Sequence, residues 1–187
     1  MRPLHHVGYW VDDLQTAVVR AVRTLGVGPF LVHPHVTFDS FTLADGTQVR
    51  DAAYFDHSAA FASWGDLVLE LSEIHSIDPA LATSYRTDGP GEPGPGHVSW
   101  VVDDLEAESA RLEAEGCPLI HTATSGAVQV AWHHGGPLFP QPIELHRAGP
   151  PILGMHARLA ALADGWDGSQ PLRPMAPAPV TPARKEP

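Results

Sequence analysis

Two histidines, His6 and His97, open two copies of one phrase. HVGYWVDDL at residues 6–14 returns as HVSWVVDDL at 97–105, identical at six of nine positions. Two glutamates make a second matched pair, in Leu69-Glu70-Leu71-Ser72 and Ile143-Glu144-Leu145-His146. Each of these stretches reads as a strand, where neighbouring side chains point to opposite faces. With the flanking aliphatics on a helix-covered face, both carboxylates turn to the other side. Val7 and Val98 likewise stand opposite His6 and His97. An ionised carboxylate turned into an enclosed space is costly unless it is paired or bound to a cation. Two imidazoles and two carboxylates meeting at one point are N and O donors suited to a divalent metal. A repeated half-domain with a histidine at the same place in each half predicts a site built across a pseudo-twofold axis.

The elements that must position these residues read as two tandem βαβββ modules. Leu4 to Val11 alternates as a half-buried strand. Leu14, Ala17, Val18, Ala21, Val22 and Leu25 then recur at helical spacing, on one face of a helix about three turns long. Asp12 or Asp13 caps that helix and Gly26 ends it. The same logic puts a helix over Asp104 to Glu115, so capping accounts for the paired aspartates without any chemistry. Pro29 to Phe38, Arg50 to Trp64 and Asp66 to Ile74 are rich in Val, Phe, Tyr and Thr and complete module one, residues 4–87. DGPGEPGPG, residues 88–96, reads as an irregular linker. Module two, residues 97–149, repeats the order with strands at 97–102, 118–124, 127–133 and 141–147. Residues 1–149 therefore make one α+β domain, a curved mixed sheet around a central site. Ile152 to Ala163 forms an amphipathic C-terminal helix within 150–168. The Pro-rich stretch 169–187 lacks core-forming residues and reads as a flexible, disordered tail. Gly165-Trp166-Asp167-Gly168 reads at most as a packing anchor that closes one side of the pocket.

Composition narrows the classes of partner. The formal net charge is -11, from 22 acidic and 11 basic residues, which argues against a nucleic-acid or membrane-surface binder. No run reaches the roughly 18 apolar residues of a membrane span. Met1 to His6 has no long apolar run, so no secretory leader is expected. A single cysteine, Cys117, excludes an internal disulfide framework and fits a reducing cytoplasm. It follows a helix-ending Gly116 and reads as a small apolar filler.

Twelve histidines leave rivals to sort. His5 should face away from His6, and its counterpart in the second copy is Gly96. His33 and His35 share a strand face and make a rival metal pair. Pro34 between them marks an edge strand and favours surface or pocket-rim histidines. Glu73 competes with Glu70 but points to the other face. His146 shares the face of Glu144, where it contacts substrate or orients a ligand. His57, Trp10 and Trp132 are candidates to line a substrate pocket, with core packing or a surface position the plain alternative. His133-His134 ends a strand before Gly135-Gly136.

The phrases HHVGYWVDDL, LELSE, GHVSWVVDDL and PIELHR resemble the four ligand-bearing strands of the vicinal oxygen chelate superfamily, over roughly residues 4–147. That superfamily includes glyoxalase I, methylmalonyl-CoA epimerase, extradiol ring-cleaving dioxygenases and bleomycin-resistance proteins. Carried over residue by residue, the resemblance implies metal ligation by His6, Glu70, His97 and Glu144. That set is similar to glyoxalase I of bacterial type. Epimerases of the superfamily often carry Gln where Glu70 stands, and ring-cleaving dioxygenases use two His and one Glu. The resemblance further implies one divalent ion (Zn, Ni, Co, Mn or Fe) chelated by a small oxygenated metabolite. Glu144 or Glu70 would then be the catalytic base of an epimerase, isomerase or glyoxalase-type lyase, in a cytoplasmic homodimer. Two alternatives stay open: an Fe(II) extradiol-type dioxygenase, and a non-catalytic, resistance-type binder of small molecules. Fold resemblance does not fix the substrate.

Overall fold

β1 (His6–Val11) and α1 (Leu14–Leu25) open module one in the computed structural model, which describes residues 4–136 and 139–175. The Asp13 carboxylate accepts from the Thr16 amide, and Gly26, at φ 70°, closes the helix in the left-handed region. Leu14, Val18 and Ala21 form the buried stripe of α1, packed with Phe30, Leu69 and Leu71. β2 (Phe30–Val36), β3 (Ser40–Leu43), β4 (Gln48–Val49), β5 (Phe55–Trp64), β6 (Leu67–Ile77) and the short α2 (Pro79–Tyr85) follow. Module two contributes β7 (Gly94–Val102), α3 (Leu105–Ala114), β8 (Leu119–Ser125), β9 (Val128–His133) and β10 (Ile143–Arg147). α4 (Pro150–Ala163) and β11 (Leu172–Pro174) come last. No helix among the described residues is long and apolar enough to cross a membrane.

One sheet takes all eleven strands, in the order β11-β2-β5-β6-β1-β7-β10-β9-β8-β3-β4. At its centre β1 and β7 are antiparallel, and each has a parallel partner on its outer side, β6 and β10. This is the pseudo-twofold implied by the repeat: His6 pairs with Ser99, and Gly8 pairs with His97. The four strands expected to carry chemistry are thus neighbours.

The sheet's curvature follows from one connection. β2 and β3 lie toward opposite ends of the strand order, yet only residues 37–39 join them. The chain can cover about 14 Å over that step, so the sheet must curl until its margins nearly meet. The β3–β4 hairpin belongs to module one in sequence but to module two in pairing, with Ser40 on Thr124 and Leu43 on His121.

Two expected irregular segments are partly strand. Residues 94–96 of the linker extend β7, where Gly94 and Pro95 pair with Trp10 and Tyr9. Glycine is what lets this happen, because a Cβ on Gly96 would stand 2.9 Å from the Gly8 carbonyl oxygen. Residues 172–174 of the tail pair in parallel with Phe30, Leu31 and Val32, and Leu172 packs against the cluster holding Val18. Residues 176–187 of the expected tail lie outside the described residues. Trp166 packs on Gly28 and is not among the residues lining the cavity, so it does not close a side of the pocket. Its indole N–H donates to the Ser169 carbonyl, and its ring covers Gly28, where a Cβ would come within 2.5 Å of it.

Within the curl, Trp10, Phe41, Phe55, Tyr85 and Trp132 form a buried aromatic cluster. Tyr85, delivered by α2, stacks on Trp132 with ring centroids 4.4 Å apart, and its hydroxyl meets His121 Nε2 at 2.6 Å. Burial pushes His121 down to about 4, so it is neutral at pH 7. The folded state then binds fewer protons than the unfolded chain between pH 6.5 and about 4. Stability is therefore lost as pH falls through that window. The contribution of His121 is on the order of 3 kcal/mol. Thermal unfolding of His121→Gln should show a shallower loss of stability on acidification than wild type; an unchanged slope would refute this assignment.

Candidate metal centre

Alternation along β1 puts His6, Gly8 and Trp10 on one face and Val7 and Val11 on the other, where they join the α1 cluster. The same alternation turns Glu70 and Ser72 inward from β6, His97 and Ser99 from β7, and Glu144 and His146 from β10. Trp132 pairs with Glu144 across β9 and β10, and so shares this inner face.

His6, Glu70, His97 and Glu144 converge, each 6% exposed or less. His6 Nε2 lies 2.8 Å from His97 Nε2, 3.0 Å from Glu144 Oε2 and 3.4 Å from Glu70 Oε2. His97 Nε2 is 3.4 Å from each of the two carboxylate oxygens. Two donors that share one first-row divalent ion at about 2.1 Å stand about 3.0–3.4 Å apart. The donor types, and the 3.4 Å from Glu70 Oε2 to each imidazole nitrogen, fit an ion shared by His6, Glu70 and His97. A second group, His6, Glu144 and His146, shares only His6 with that trio and also offers donors within reach of one ion.

The electrostatics agree with cation binding. Burial alone would raise both carboxyls, but the facing imidazoles prevail. His97 and His6 bring Glu70 down to about 2, and His146 and His97 hold Glu144 well below its usual value. Burial lowers His6 despite the pull of Glu144. For His97, Glu70 and Glu144 together outweigh burial, so it is raised. The opposite shifts make sense of the 2.8 Å contact, which needs one N–H donor and one bare nitrogen. The hydrogen shared between the two rings is what a cation would displace.

The supporting contacts are uneven. Ser72 donates to Glu70 Oε1 at 2.7 Å. Glu144 makes its contacts through Oε2, with His6 and His146 each at 3.0 Å. Its Oε1 has no hydrogen-bond partner among the described residues. His5 does not face away from His6 as its sequence position implies. It precedes β1, escapes the strand alternation, and sets its Nδ1 2.8 Å from His6 Nδ1.

The rival residues have other places. β2 bulges between His33 and Val36, with His35 at φ 52°. The bulge separates the two histidines: His33 lines the cavity, while His35 meets Asp56 at 2.9 Å on the surface. Glu73 accepts from the Leu14 amide at 2.9 Å and so serves the start of α1. His133 meets the Cys117 carbonyl and the Ser109 hydroxyl, a structural role.

The four donors line a cavity of about 510 Å³, together with Trp10, His57, Trp132 and His146. Both tryptophans also belong to the aromatic core. Burial takes His57 down to about 4, which leaves it neutral. Sequence reasoning missed Gly8, whose Cβ, if present, would stand 2.3 Å from the His97 ring. The one available signal was the Gly8/Ser99 mismatch inside the repeated phrase. It also missed Ser72, and Arg158 of α4 in the cavity lining.

Over residues 5–145 the chain matches the family described as the Glyoxalase/Bleomycin resistance protein/Dioxygenase superfamily. Among solved structures it is similar to methylmalonyl-CoA epimerase from Mycobacterium tuberculosis, with 20% identity, TM-score 0.50, and 81% of this chain and 91% of that one covered. It is similar to a hypothetical protein from Bacillus halodurans C-125, with 17% identity, TM-score 0.54, and coverage of 79% and 95%. A variant of Streptomyces coelicolor methylmalonyl-CoA epimerase in complex with 2-nitronate-propionyl-CoA gives 17% identity, TM-score 0.52, and coverage of 80% and 98%. At these identities the likeness is one of fold. No curated protein matches in sequence.

Proposed function

We propose that this chain, which belongs to the glyoxalase, bleomycin resistance protein and dioxygenase superfamily, is a divalent-metal-dependent enzyme that moves a proton next to a carbonyl. The reaction class is that of an epimerase, isomerase or glyoxalase-type lyase acting on a small oxygenated metabolite. The observation that carries this reading is the convergence of His6, Glu70, His97 and Glu144 with contacts of 2.8–3.4 Å at the wall of one cavity. The occurrence of methylmalonyl-CoA epimerases among the similar folds supports proton transfer as the class.

His6, Glu70, His97 and Glu144 are the residues that would hold the ion, which when bound polarises a carbonyl oxygen and stabilises the charge that forms beside it. The protein's own groups divide the remaining work. Ser72 occupies Glu70 Oε1, so that carboxylate is held in place and is the poorer base. Glu144 is ionised at neutral pH and keeps Oε1 open, so it accepts the proton from the substrate carbon. His146, 3.0 Å from the other Glu144 oxygen, orients that carboxylate. Trp10, Trp132 and neutral His57 keep the site dry, which strengthens the electrostatics within it.

The test pairs metal analysis with proton exchange. Purified protein should hold one divalent ion per chain and exchange the C–H beside the carbonyl of a 2-hydroxyketone in D2O. Glu144→Gln should slow that exchange by about 100-fold or more. Metal-free protein that gives no response to added ions overturns the reading, as does oxygen consumption with a catechol in place of exchange.

A further inference from the structure

The family match ends at residue 145, yet part of the cavity wall lies beyond it. Ile152, Met155 and Arg158 of α4 line the cavity, and so does Met175 after β11. The segment that carries them is fixed at three points. Leu159 is buried against Leu31 and Val68. Trp166 sits over Gly28. β11 runs along β2. Residues 150–175 are therefore a built wall of the site.

The chemistry of that cavity is lopsided. Its inner end holds Glu70 and Glu144, its body is aromatic and aliphatic, and Arg158 is the sole Lys or Arg in its lining. Arg158 is exposed, so it stands at the rim, and no carboxylate among the described residues forms an ion pair with it. A guanidinium left open at the rim of an apolar cavity is suited to a carboxylate, which it binds in a two-pronged fashion. With a net charge of -11 and one cationic rim residue, the cavity suits a singly charged ligand better than a polyphosphate.

We propose that residues 150–175 form the substrate-recognition wall, and that the substrate is a compact molecule with a ring-sized apolar body and one carboxylate held by Arg158. Its orientation, oxygen-bearing end toward His6 and Glu144, rests on the proton-transfer reading of the site. Occupancy beside Trp10 and Trp132 is read by quenching of tryptophan fluorescence. The probes are 4-phenylbutanoate, 4-phenylbutanamide and coenzyme A, each titrated into protein as purified and into metal-stripped protein, where a carboxylate has no ion to bind.

Wild type should bind the carboxylate about tenfold more tightly than the amide in both preparations. Arg158→Gln should erase that preference and leave amide affinity unchanged, whereas Arg158→Lys should keep part of it. Coenzyme A should not compete. Equal affinity for the two phenyl probes, a preference that survives Arg158→Gln, or quenching by neither probe overturns the proposal. Arg158 is exposed, and an unchanged thermal midpoint shows that the variants fold. The outcome is separable from that of the reaction. A protein without metal or exchange activity that keeps the Arg158-dependent preference retains this wall, and one with both but no preference loses only the wall.

Discussion

Replacing His6 with alanine is expected to abolish divalent-ion binding and to lower turnover by about 1,000-fold or more. His6 is the centre of the constellation. Its Nε2 stands 2.8 Å from His97, 3.0 Å from Glu144 and 3.4 Å from Glu70, and it belongs to both groups that offer donors to one ion. An ion that binds only the folded form stabilises it by about 2.7 kcal/mol at a hundredfold excess over its Kd. For a chain of this size that raises the thermal midpoint by about 5–10 °C. Metal-stripped wild type should show that rise when Zn, Ni, Co, Mn or Fe(II) is added, and His6→Ala should show none. The size of the rise should grow with pH, because protons compete with the cation for the imidazole nitrogens. A purely structural ion network makes a different prediction. His6→Ala would still destabilise the fold by stranding two buried carboxylates, but wild type would ignore added metal. That result would sink the metal assignment.

The fold class and the convergence of the four side chains were legible in the sequence, and the placing of the short strands around them was not. The two histidines could be found because duplication puts them at the same place in each half, and the glutamates because period-2 alternation fixes their face. The helix starts at Asp13 and Asp104 were local signals, and both carboxylates cap as expected. What escaped was non-local. β3 and β4 are four and two residues long, and no local pattern says that they cross to the margin of the other module. β11 is three residues in a Pro-rich stretch, held only because β2 offers it an open edge. His5 was misplaced by one register step, since a strand's alternation holds only inside the strand. α2 had a usable signal in Asp78-Pro79, a cap followed by proline at the first turn, but a seven-residue helix shows too little periodicity to stand out. Arg158 joins the cavity only through the packing of α4, which periodicity predicts without naming its target.

Gly8→Ala is expected to weaken metal binding by about 100-fold while leaving the fold intact. Gly8 is directly across the β1–β7 ladder from His97. A Cβ there would come within 2.3 Å of the ring's Cε1, 2.5 Å of Nδ1 and 2.8 Å of Nε2. Ordinary carbon contacts begin near about 3.5 Å, so the imidazole must move by more than an ångström. It has little freedom to do so. His97 is 3% exposed, with Trp132 and Trp10 at ring-centroid distances of 4.8 Å and 6.1 Å. The pseudo-symmetric position holds Ser99, which pairs with His6, so the two halves of the repeat seat their histidines differently. Overpacking of this kind costs about 1–3 kcal/mol in stability, less than the loss of a ligand costs the site. A double-mutant cycle isolates the cause, with metal titration and thermal unfolding as readouts. If the clash with the ring is the mechanism, Gly8→Ala should cost almost nothing in stability once His97→Ala has removed the ring. An equal cost in both backgrounds would place the damage in the β1 backbone and not in the seating of His97.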